Sequence, residues 1–112
     1  MKTESGNCYE TAGNYMVDRC ALGRSCKLTL VHAEVTGQGP LDGLKYGHAF
    51  ILDGDIVIDK SNGLNIEMPK QVYYLIGGIG ANVYEYSFED FRQKIMEYKH
   101  WGPWDLETES GY

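Results

Sequence analysis

No run of apolar residues in this 112-residue chain approaches the eighteen or so that span a bilayer, so no membrane helix is expected. The first seven residues, Met1-Lys2-Thr3-Glu4-Ser5-Gly6-Asn7, hold no apolar stretch, and nothing there argues for a signal peptide. Basic residues are few and scattered: ten Lys and Arg against sixteen Asp and Glu, a formal net charge of −6. That balance supplies no footprint for gripping phosphate backbones, so nucleic acid is not expected as a partner. Cysteine is scarce as well. Cys8, Cys20 and Cys26 are too few for a disulfide framework, and the odd number suggests free thiols. Cys20 and Cys26 have five residues between them, which is neither a CxxC redox pair nor a usual zinc spacing, so both are expected to be small, partly buried thiols. There is no internal repeat and no low-complexity segment. A soluble, cytoplasmic protein is the expectation.

What is present is globular material. Hydrophobic residues make up 43% of the chain, with nine tyrosines, which suffices for one core and therefore one domain over 1–112. Tyr9, Ala12, Met16 and Cys20 recur at helical spacing behind Gly6-Asn7, where Asn7 can cap the first turn. Gly13 and Asn14 are poor helix interiors, and Gly23 is a fitting C-cap. Residues 26–35 are rich in β-branched side chains and predict a strand, with Leu28, Leu30 and His32 on one face and Thr29, Val31, Ala33 and Val35 on the other. Residues 37–47, with four glycines and a proline, predict a long loop.

Tyr46 to Asp59 predicts a β-hairpin, because two apolar runs flank Asp53-Gly54. A two-residue loop at Asp53-Gly54 sets Ile51 opposite Ile56, Phe50 opposite Val57 and His48 opposite Asp59. Opposed residues share a face with Cβ atoms about 5 Å apart, within reach of an imidazole–carboxylate bond. Beyond Asp59 the sequence predicts a turn at 60–63, a short strand over 64–68 and a strand over Val72-Tyr73-Tyr74-Leu75-Ile76 closed by glycines. A last strand over 82–86 follows. Ser87 then caps a helix with Phe88, Phe91, Ile95 and Tyr98 on one stripe, ended by Gly102-Pro103. The tail from Asp105 to Tyr112 is expected to fray. The fold class is α+β: an N-terminal helix carrying Cys8, an antiparallel sheet of about five strands and a C-terminal helix.

Three residues carry potential chemistry. A cysteine in the first turn of a helix meets the positive end of the helix dipole, which favours the thiolate, the nucleophilic form. An imidazole beside it can take its proton, and a carboxylate on the far ring nitrogen fixes the ring. Cys8, His48 and Asp59 are the three parts. Each also has a plainer role: a buried thiol, a strand-end histidine, and a cap for the Ser61-Asn62-Gly63 turn. His32 together with His48, Cys8 and Asp59 matches no metal-ligand spacing, so neither a metal nor a cofactor is expected.

Gly6-Asn7-Cys8-Tyr9, Gly47-His48-Ala49-Phe50 and Ile56-Val57-Ile58-Asp59 follow one another in an order that resembles the papain-like and transglutaminase-like cysteine hydrolases. The resemblance covers about the first 60 residues. It implies a helix bearing the nucleophile packed on an antiparallel sheet bearing the other two residues. It also implies acyl chemistry on a peptide or small amide through a thioester on Cys8. Papain-like enzymes place a glutamine shortly before the cysteine; none of the seven residues before Cys8 is Gln. Asn7 or Gln38 would then have to help the Cys8 N–H hold an oxyanion. The alternative is a papain-like scaffold without strong activity that binds a protein partner, an accessory factor of viral or mobile-element type.

Overall fold

A computed structural model describes residues 8–20, 26–37, 43–63 and 65–107. Helix α1 (Cys8–Cys20) leads into strands β1 (Leu28–Thr36), β2 (Lys45–Asp53) and β3 (Ile56–Asp59). A 3₁₀ turn (Ser61–Gly63), strand β4 (Ile66–Pro69), helix α2 (Lys70–Gly77), strand β5 (Val83–Tyr86) and helix α3 (Phe88–Tyr98) follow. The five strands form one antiparallel sheet in the order β4-β3-β2-β1-β5, so the fold is α+β as expected. Among the described residues no helix is long and apolar enough to cross a membrane.

The sheet is buried on both faces, which is why its central strands are apolar almost throughout. One face carries Leu30, Ala49, Ile51 and Ile58 and packs against Tyr9, Ala12 and Met16 of α1 and Phe91 of α3. The other carries Val31, Ala33, Phe50, Leu52 and Val57 and is covered by Tyr73 and Tyr74 of α2. Strand β1 therefore divides its side chains as the alternation predicts.

Gly13, a liability for helix propensity, has a packing reason. It is buried beneath Trp101, and a Cβ there would stand 2.6 Å from Trp101 Cζ3 and 3.3 Å from Phe91 Cε1. Alanine at this position gains about 1 kcal/mol of helix propensity but displaces a large aromatic at about 1–3 kcal/mol. Gly13→Ala is expected to lower stability by roughly 1 kcal/mol net, read as a lower urea midpoint at unchanged slope.

Several expectations need correction. The hairpin loop is Gly54-Asp55, with Asp53 paired to Ile56, Leu52 to Val57 and Ile51 to Ile58. Gly54 takes positive φ (63°) at the first loop position, the preference of a Gly-first turn, rather than at the second position that Asp53-Gly54 would give it. The predicted strand over 72–76 is helix α2. Pro69 precedes it with φ −57°, Gly78 follows it in the left-handed region, and the strands on either side of it in sequence, β4 and β5, are the two edge strands of the sheet. A five-residue apolar run does not by itself distinguish strand from helix. Strand β2 begins at Lys45, inside the stretch predicted as loop.

Helix α3 stops at Tyr98, with Lys99 in the left-handed region, before Gly102-Pro103; Tyr98 is exposed rather than packed. Ser87 does close a capping box with Asp90. The tail is anchored over its first residues: Tyr86 Oη donates to Asp105 Oδ2 at 2.6 Å, Leu106 is buried, and Asn82 Nδ2 donates to the Glu107 carbonyl at 2.9 Å. Cys20 and Cys26 are joined as a disulfide, with Cα atoms 5.2 Å apart, rather than free. One lies at the end of α1 and the other just before β1, so the chain returns them to one place, which linear spacing does not reveal. Gly23 lies outside the described residues.

Candidate active site

Asp59 is the centre of the site. It is the last residue of β3, 3% exposed, and both carboxylate oxygens are fully used. Oδ1 accepts from the Ser61 backbone N–H at 3.0 Å and from Ser61 Oγ at 2.7 Å. Oδ2 accepts from His48 Nε2 at 2.8 Å and from Tyr73 Oη at 2.6 Å. An ionised carboxylate only accepts, so the proton on that ring nitrogen belongs to His48. The turn-capping role and the histidine-holding role are thus both filled, one by each oxygen.

The His48–Asp59 pair forms although the hairpin register differs from the predicted one. A shift of two residues leaves every side chain on its original face. In the observed register Asp59 is level with Phe50, and His48 is its diagonal neighbour, still within reach of a ring and a carboxylate. The β2–β3 ladder ends at Ile51–Ile58, so His48 stands beyond it, where the sheet is open on that side.

Cys8, the free cysteine of the described residues, begins α1 on the opposite face, 3% exposed. Its thiol stands near enough to act on the His48 ring, at the end of α1 that packs against the 3₁₀ turn. Burial works against a charged His48 ring, but hydrogen bonds to Asp59 and Cys8, and the charges of both, outweigh it and raise the imidazole from 6.5 to about 9. Because Asp59 takes Nε2, Nδ1 is the nitrogen left for the thiol. Burial also pushes the Asp59 carboxyl up, yet the bond and charge of His48, then Tyr73 and Ser61, hold it well below the usual carboxylate range. Tyr73 is pushed far up by burial, then by the charge and bond of Asp59, so it stays a protonated donor. Tyr46 is also raised, by burial first and then by Cys8 and Asp59, which sets it in the same cluster.

The site therefore brings together Cys8, His48 and Asp59. Asn7 and Gln38, the expected oxyanion donors, lie outside the described residues. Sequence reasoning placed Ser61 only in the turn that Asp59 caps, and it missed Tyr73. Ser61 was legible as a partner of an Asp two residues earlier, whereas Tyr73 depends on α2 being a helix.

His32 is not part of this site. It lies on the α1 face, fully buried between Tyr9, Tyr86 and Trp104, with ring centroids 4.9–5.1 Å away and neither nitrogen hydrogen-bonded. Burial, against a weaker pull from Asp105, lowers its pKa to about 3.

These shifts predict a stability optimum close to pH 6.5. His48 binds its proton more tightly when folded, so its contribution is full below 6.5 and is lost as pH rises through about 9. His32 binds its proton more weakly when folded, so stability falls as pH drops from 6.5 toward 3. The lowered Asp59 adds a contribution present above 3.8 and lost in acid. Thermal melts from pH 3 to 9 are expected to fall on both sides. His48→Gln should flatten the alkaline limb, and His32→Leu the part of the acid limb between 6.5 and 4.

No protein-family model, curated protein or solved structure matches this chain.

Proposed function

We propose that the protein is a small thiol hydrolase or acyltransferase in which Cys8 attacks an amide or acyl carbonyl. The observation that carries this reading is the His48–Asp59 hydrogen bond, with the Cys8 thiol beside the same ring. His48 accepts the thiol proton and returns one to the leaving group, and Asp59 keeps the ring oriented and stabilises its cationic form. The attack forms an Sγ–C bond and expels the amine or alcohol. Water, or a second acceptor, then cleaves the thioester. The order of the three residues along an α+β chain, in which the resemblance to papain-like enzymes lies, supports the same reading.

A second reading has its own observations. Cys8 is buried, and α2 turns Val72, Leu75 and Ile76 outward, with Leu75 82% exposed. An apolar helix face of this kind suits a protein-binding accessory factor built on the same scaffold.

p-Nitrophenyl acetate separates the two. The enzyme reading expects nitrophenolate release with an acetyl thioester on Cys8, visible by intact mass and removed by hydroxylamine. Cys8→Ser should abolish it. Absence of any Cys8 adduct in the folded wild type favours the scaffold.

A further inference from the structure

The opening beside His48 is a groove of about 390 Å³, bounded by Val35, Tyr46, Ile66, Met68 and Ile76. It lies at the low end of the range for small-molecule sites, room for one side chain and its linkage rather than a folded domain. Its chemistry is one-sided. Among the described lining residues there is no Lys, Arg or Glu, and the carboxylate of Asp59 has already accepted four hydrogen bonds. A cationic group entering the groove would lose water and find no free carboxylate, and an anionic one would find only the His48 ring, already paired with Asp59, whereas an apolar group would bury against Val35, Ile66, Met68, Ile76 and two tyrosines.

The groove reaches the site at His48 and Asp59; Cys8 itself does not line it. The void that Cys8 does line, on the α1 side, is about 10 Å³ and admits at most a water molecule. The groove is thus the space of substrate size that adjoins the general base.

We infer that this groove is the specificity pocket of the site and takes an uncharged apolar side chain, aliphatic or aromatic, adjoining the scissile amide or acyl bond. The inference rests on the thiol-enzyme reading and names its substrate class: apolar amides in preference to cationic or anionic ones.

Four chloroacetamides with benzyl, isobutyl, aminobutyl and carboxypropyl arms test it. The Cys8 sulfur forms a bond to the methylene carbon, the C–Cl bond breaks, chloride leaves, and the thiol proton passes through His48 to solvent. Rates are followed by intact mass and normalised to glutathione. The benzyl and isobutyl arms are expected to react about tenfold faster than the charged arms, the usual discrimination of an apolar pocket. Ile76→Glu should collapse that ratio. Leu75→Glu, one residue along and outside the groove, should keep it. Protection of wild-type Cys8 by N-acetylphenylalaninamide but not N-acetyllysinamide carries the same test without a variant.

Equal rates for the four arms, or faster charged ones, with alkylation still dependent on His48, overturn the pocket and leave the thiol reading standing. Alkylation equally fast in His48→Ala overturns both.

Discussion

Asp59→Ala is expected to lower stability by roughly 4–6 kcal/mol, the largest folding effect of any single change at the site. The substitution removes the acceptor for four donors at once: the Ser61 N–H and hydroxyl, the Tyr73 hydroxyl and the His48 ring. Ser61 is buried, and each buried donor left unpaired costs about 1–3 kcal/mol. Asp59 is itself buried, so solvent does not replace the carboxylate for these donors. Tyr73→Phe deletes a single donor and leaves the carboxylate otherwise satisfied, so its cost should be about 1 kcal/mol. Asp59→Asn should fall between, since one amide oxygen still caps the Ser61 turn while the amide nitrogen faces two donors. Urea denaturation of the three variants, compared at equal slope, measures the ranking. A loss below 2 kcal/mol for Asp59→Ala would mean that the four bonds are not held in solution.

The second large effect is on chemistry. His48→Ala should slow acetyl transfer from p-nitrophenyl acetate to Cys8 by about 100-fold or more, the usual contribution of a positioned general base. His48 lies outside the main core clusters and is partly exposed at its ring, so the variant should fold. Its loss also frees one lone pair of Asp59 rather than stranding a donor. Asp59→Asn should slow the same reaction less, because the ring remains and only its orientation and charge support weaken. A rate unchanged in His48→Ala would leave Cys8 as an ordinary thiol that reacts unaided.

The hairpin shows how much of this site could be seen in the chain. Counting from Asp53-Gly54 gave a register two residues out, yet the His48–Asp59 pair survived because an even slip preserves faces; a slip of one would have separated the two. The apolar stripe of α1, the division of β1 into two faces and the Ser87 capping box were likewise readable, since each depends on local periodicity or on one capping residue. Helix α2 was not. Val72 to Ile76 has the composition of a strand, and only the tertiary setting, with Tyr73 and Tyr74 closing over Phe50 at 4.9 and 5.9 Å, turns it into a helix. With that helix went Tyr73, the donor that shares Asp59 Oδ2 with His48. The Cys20–Cys26 disulfide was hidden for a related reason: proximity there comes from where α1 ends and β1 begins, not from a motif.

The proposed reaction requires Cys8, His48 and Asp59 to act as one unit, and the direct test is a double-mutant cycle on Cys8 reactivity. Iodoacetamide alkylation of Cys8 at pH 7 would be timed by mass spectrometry in the wild type, His48→Ala, Asp59→Asn and the double variant. The prediction is a slowing of about 100-fold in His48→Ala, a smaller slowing in Asp59→Asn, and a double variant no slower than His48→Ala alone, because Asp59 acts only through the ring. Four folded proteins that alkylate at the same rate, or two slowings that simply multiply, would contradict it.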